Sequence, residues 1–158
     1  MIKLKDETRA AKPFATIEQE VFVNAQRTAD WLMRDLEEVL KDIHLSPTQY
    51  NVLRILRSAG TGGMACHEIG QRMITRDPDM TRLLDRLEDR ELISRSRERL
   101  DRRVIRVRIS TDGLKLLKEV DDPVRTMHRR QLSHLGEKRL RLLVRLLEMA
   151  RQRPVRDE

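Results

Sequence analysis

Arg82 and Arg86 stand four residues apart in the run Met80-Thr81-Arg82-Leu83-Leu84-Asp85-Arg86-Leu87. On a helix, that spacing sets both guanidiniums on one face and gathers Met80, Leu83, Leu84 and Leu87 on another. A guanidinium presents a planar fork of donors that fits a phosphate or the O6 and N7 edge of guanine. The bland alternative is a solvated face, with the two arginines paired to Asp85, Glu88 or Asp89. Thr81 and Asp79 fall in the first turn, where both could reach base edges; an Asp accepts from the cytosine amino group. Asp79 serves equally well as a negative charge at the helix N-terminus. Arg76, in the turn upstream, belongs to the same basic set.

A second basic cluster follows at once. After Glu91 the period changes from 3.6 to 2, in Ile93-Ser94-Arg95-Ser96-Arg97 and again in Val104-Ile105-Arg106-Val107-Arg108-Ile109. Ile105, Val107 and Ile109 share one face of the second run, opposite Arg106 and Arg108. Residues 98–103 are then the tip of a β-hairpin. From Arg95 to Arg108 there are seven Arg against Glu98 and Asp101, a local charge of +5. The whole chain is basic as well, with net charge +7 and pI about 10.2, so its surface attracts polyanions.

Other chemistry finds little support. Gly60-Thr61-Gly62-Gly63 lacks the Lys-Ser or Lys-Thr of a phosphate loop. No Ser-His-Asp arrangement is set up by spacing, and Asp121-Asp122 reads as solvated. His44, His67, His128 and His134 do not pair at the i, i+4 spacing of a helical metal site. Cys66 is the one cysteine, so it forms no intrachain disulfide or Cys-based zinc site. It is either a small core residue or, if exposed and acidified beside His67, a thiol open to oxidation. The expectation is no enzyme, no metal and no cofactor.

Local signals define the elements that must position these groups. Residues 1 to about 15 read as an arm. Thr16-Ile17-Glu18-Gln19 matches a capping box and opens a helix of about seven turns, with Ile17, Val21, Ala25, Ala29, Leu32, Leu36, Val39, Leu40 and Ile43 along one stripe. Ser46-Pro47-Thr48-Gln49 starts a second helix, with Ser at the N-cap and Pro at the first helical position. A short helix runs from about Ala65 to Met73. Asp77 can cap the Arg82 helix, with Pro78 as its first residue. Ser110 or Thr111 caps a helix carrying Leu114, Leu117, Val120, Val124 and Met127, which Pro123 should kink. A last helix, about residues 136–152, carries Leu140, Leu143, Val144, Leu147 and Ala150. Two short helices joined by a tight turn make a helix-turn-helix, and the basic hairpin behind them is a wing.

In this order and spacing the residues resemble the multiple antibiotic resistance regulator (MarR) family of winged-helix repressors, from about Thr16 to Arg151. Met80 to Glu88, continuing through Leu92-Ile93-Ser94-Arg95, resembles the family's recognition helix and following strand. Asp101-Arg102-Arg103 resembles its Asp-x-Arg wing signature, and Ile109-Ser110-Thr111-Asp112-Gly113 its Leu-Thr-x-x-Gly exit. The chain departs at Glu91, where the family usually has Gly; a left-handed residue there costs a non-Gly side chain about 1 kcal/mol or more, so either the turn is built differently or the chain carries modest strain. It departs again at Asp77-Pro78-Asp79, which brings acids near DNA. The resemblance implies that Arg103 or Arg102 enters the minor groove while Asp101 steadies the tip by pairing with Arg103. It also implies a dimer interlocked through the first and last two helices, and an effector held between those helices and the DNA-binding lobe, near Trp31, His44 and Tyr50.

The fold expected is mainly α with a small β-hairpin wing: a winged helix-turn-helix over about 47–110, flanked by dimerisation helices over 16–45 and 111–152 in one unit of 158 residues. The function expected is sequence-specific binding of double-stranded DNA by a homodimeric repressor on a pseudopalindrome, with release by a small-molecule effector. No apolar run approaches the roughly 20 residues of a membrane span, and the charged N-terminus has no signal-peptide core. The expected location is the bacterial cytoplasm. The rival classes are a winged helix that binds an acidic protein and a sequence-tolerant nucleic-acid-packaging protein.

Overall fold

The computed structural model describes residues 14–75, 79–97 and 104–152. Six helices and three strands follow in order: α1 (Ile17–Lys41), α2 (Pro47–Ala59), β1 (Met64–Ala65), α3 (Cys66–Arg72), α4 (Met80–Asp89), β2 (Ile93–Arg97), β3 (Ile105–Ile109), α5 (Thr111–Leu132) and α6 (Gly136–Arg151). The strands form one antiparallel sheet in the order β1-β3-β2. This is the mainly helical winged-helix architecture expected, with one strand more than the hairpin.

Capping chemistry explains the helix starts. The Thr16 hydroxyl accepts the Gln19 N–H at 3.2 Å. Ser46 and Gln49 close a reciprocal box, each side chain accepting the other's backbone N–H. The start of α4 differs from the expectation. It begins at Met80, capped by Asp79, whose carboxylate accepts the Arg82 N–H at 3.1 Å. Asp77 and Pro78 lie outside the described residues. Both Asp residues carry a capping oxygen, so local pattern does not rank them. α5 runs as one helix through the exposed Pro123.

α1 and α4 end by the same device. After α1, Leu45 N–H donates to Leu40 C=O and His44 N–H to Lys41 C=O; after α4, Leu92 N–H donates to Leu87 C=O and Glu91 N–H to Glu88 C=O. The left-handed residues are His44 (φ 53°) and Glu91 (φ 56°). Each is a closure that normally takes Gly. Of the two alternatives at Glu91, the structure takes the strained one.

One core joins the lobe to the long helices. Leu40 of α1, Val52, Leu53 and Leu56 of α2, Ile69, Leu84, Leu87, Val107 and Leu117 of α5 are all fully buried. Two glycines permit close approach. A Cβ on Gly63, at φ 67°, would lie 2.4 Å from the Val107 oxygen of β3, and one on Gly113 would lie 2.3 Å from the Leu92 oxygen. β1 escaped the sequence reading because a two-residue strand has no period. Met64 and Ala65 pair with Val107 and Arg106.

The expected apolar stripes of α1 and α6 are bare where they leave this core. Ile17, Val21 and Phe22 at the start of α1 are largely exposed, and α6 buries no residue. Among the described residues, no helix is long and apolar enough to cross a membrane.

Candidate nucleic-acid interface

α4 presents the site. Leu83, Leu84 and Leu87 are buried, whereas Thr81, Arg82 and Arg86 are exposed. Among the described residues, neither Arg82 nor Arg86 makes an ion pair. Two of the three acids that could have claimed them, Asp85 and Glu88, are engaged elsewhere. In the β2–β3 register Arg95 sits opposite Val107, so its side chain stands on the inner face of the sheet. There its Nε donates to Glu88 at 2.7 Å, its Nη2 lies 2.7 Å from Asp85 and 2.5 Å from Glu88, and its N–H donates to the second Glu88 oxygen at 3.0 Å. Asp85 and Glu88 thus hold the base of the wing to α4.

The wing carries further cations. Arg108 donates to the Ser96 hydroxyl at 2.7 Å across the strand pair, and exposed Arg97 continues toward the tip. Arg76, Asp101, Arg102 and Arg103 lie outside the described residues. Asp79 has its carboxylate on the α4 N-terminus, as described above. The arrangement offers a basic, outward helix face beside a basic hairpin, with forked donors suited to phosphate and base edges.

One ion pair and one guanidinium-to-backbone bridge were not legible beforehand. Asp121 is not the solvated acid expected: both its oxygens accept from Arg57, at 2.8 and 3.0 Å, across the seam between α2 and α5. The Arg57 guanidinium holds the Asp121 carboxyl below the ordinary carboxylate range. Arg57 sits in the last turn of α2, where a basic residue reads as helix-end chemistry. Arg90 donates to the Ile43 and His44 carbonyl oxygens, 46–47 residues away in sequence.

A cleft of about 630 Å³ lies between α1, α2 and α5, within the roughly 300–1,000 Å³ typical of small-molecule sites. Leu32, Leu36, Pro47, Tyr50, Arg54 and His128 are among its walls. Of the three residues expected at an effector site, Tyr50 is present and Trp31 and His44 are not among the lining residues. Trp31 is half-exposed on α1, and His44 is spent on the left-handed turn. Arg54 stacks over the Tyr50 ring at 5.7 Å.

Burial pushes the Cys66 thiol up, against a smaller opposing effect of Arg95. That leaves the protonated thiol at neutral pH, the less reactive form. Among the described residues, no three His, Cys, Asp or Glu side chains are grouped to hold a metal ion.

The outward basic helix and adjoining basic β-hairpin define a winged helix-turn-helix. Residues 45–105 match the sequence profile of the MarR family. The chain is 30% identical over 129 residues to the HTH-type transcriptional repressor MdtR of Bacillus subtilis, covering 72% of this chain and 82% of that one. It is similar to the crystal structure of a MarR transcription factor from Planctomyces limnophilus, with 44% identity, TM-score 0.66, and 87% and 99% of the two chains covered. A mutant MarR from E. coli complexed with operator DNA shares the fold at 20% identity and TM-score 0.76, covering 96% and 100%. This chain belongs to the MarR family, whose members are transcription regulators and not enzymes.

Proposed function

We propose that the chain is a homodimeric repressor that reads a pseudopalindromic operator with α4 and grips the flanking backbone with the wing. The observation that carries this reading is the pair Arg82 and Arg86. They lie one turn apart on the outer face of α4 and make no ion pair among the described residues, while Arg95 holds Asp85 and Glu88. Thr81 would join them at base edges, and Asp79 would act first as the helix cap. Arg76, Arg102 and Arg103, with Asp101, complete the contact surface. The crystallised relative with operator DNA supports a duplex as ligand.

The dimer follows from uncovered apolar surface. Leu143, Val144 and Leu147 line one face of α6, and Leu142, Leu146 and Met149 lie roughly on the opposite one; all are exposed in a single chain. A helix apolar on both sides is buried on both sides, so a second copy interlocks around α6 rather than resting against it. α1 and α5–α6 are accordingly the dimerisation segments, and 47–110 the DNA-binding lobe. An effector in the α1–α2 cleft would release DNA by favouring a dimer with the wrong half-site spacing. The chain would act in the bacterial cytoplasm.

A gel-shift titration against the DNA upstream of its own gene tests this. Binding that depends sharply on a pseudopalindrome is expected. Arg82→Ala and Arg86→Ala should each lower preference for the site by about 1–3 kcal/mol where a base contact is lost. Arg103→Ala should weaken all duplexes and reduce the salt slope by about one phosphate equivalent. Equal affinity for any duplex would replace the repressor with a packaging protein, and no duplex binding would favour an acidic protein partner.

A further inference from the structure

We propose that Arg90 is a positioning residue that sets the angle of α4 against α1, and thereby the separation of the two DNA-reading helices in the dimer; this rests on the dimeric repressor reading above. Arg90 is the last residue before the left-handed Glu91 turn of α4. Its Nη1 donates to the His44 carbonyl at 2.5 Å and its Nη2 to the Ile43 carbonyl at 3.0 Å. Those oxygens belong to the turn that closes α1. One guanidinium therefore bridges the C-terminal ends of the dimerisation helix and the DNA-reading helix.

The bridge has physical leverage. α1 packs chiefly on α5 and α2, whereas α4 packs chiefly on β2, so the two helices have different principal neighbours. A helix C-terminus is the negative end of its dipole, where a fixed cation is favoured. The planar fork matches two successive carbonyls, which a single ammonium cannot hold in one geometry. Both turns are closed by strained non-Gly residues, so each has a defined shape. Beyond the α1 turn the chain runs directly into Ser46, Pro47 and Thr48, which line the same cleft as Leu32 and Leu36 of α1. Any occupant that spreads α1 from α2 displaces the carbonyls Arg90 holds, and α4 moves with them.

The test uses the full-length protein and four duplexes: the upstream pseudopalindrome, the same sequence with one base pair added or removed between half-sites, and a single half-site. Parent binding to the pseudopalindrome is measured first and judges the repressor reading by itself. Arg90→Ala should then lose about tenfold on the native spacing, in the range of ordinary coupling effects. Its preference for native over altered spacing should flatten while half-site affinity is kept, and Arg90→Lys should fall between. An unchanged spacing preference overturns the proposal. So does an equal loss on the half-site and the full site, which would make Arg90 a direct phosphate contact or a general stabiliser. If Arg90→Ala does not fold by circular dichroism, Arg90→Gln, which retains an amide donor, is judged by the same two comparisons.

Discussion

Asp121 and Arg57 meet where α2 packs on α5, each about one-third exposed and joined by two hydrogen bonds. Because Arg57 lowers the Asp121 pKa in the folded chain, the pair's contribution is complete above the unfolded value and is lost as pH falls through the folded one. Thermal melts of Asp121→Asn and the parent should differ most near neutrality, by about 2–4 °C for a pair worth at most about 1 kcal/mol. The two curves should converge well below pH ~4. A constant gap across that range would assign the effect to packing. Arg95 acts in a related way at the wing. Its inward register brings it onto Asp85 and Glu88, so it neutralises two acids of α4 beside the exposed Arg82 and Arg86.

Elements are held here by turns as much as by stripes. Glu91 at φ 56° closes α4 in a conformation that penalises a Cβ, so Glu91→Gly should stabilise the fold by about 1 kcal/mol, read as a higher midpoint in urea with unchanged slope. Lower stability would mean that the flexibility Gly adds to the unfolded chain outweighs the relief. Gly113 poses the opposite case. Its missing Cβ lets the first turn of α5 sit against the Leu92 carbonyl and Ile109, so Gly113→Ala forces the wing and α5 apart. Overpacking of this sort costs about 1–3 kcal/mol.

At the scale of the molecule, the core of the single chain ends where the outer half of α1 and all of α6 begin, which leaves the apolar faces that the proposed dimer would cover. Leu143→Asp combined with Leu147→Asp should convert a dimer to a monomer in light scattering while helix content is largely kept. Affinity for the full pseudopalindrome should fall to that of one half-site. A double variant that stays dimeric would place the interface elsewhere.

What the residues determined alone was governed by short-range chemistry. The caps at Thr16 and Ser46, the 3.6-residue stripe of α4 and the switch to period 2 after Glu91 depend on neighbours within a few positions, and the sequence carries those directly. Tertiary structure decided what depends on distance in the chain. Arg95 turned inward, Asp121 found Arg57, Arg90 reached His44, and Met64-Ala65 became a strand because partners 7 to 64 residues away supplied the missing groups. A charge or a two-residue segment has no period of its own, so only folding says which partner satisfies it. The start of α4 was likewise decided by the structure, where Asp79 supplies the capping oxygen.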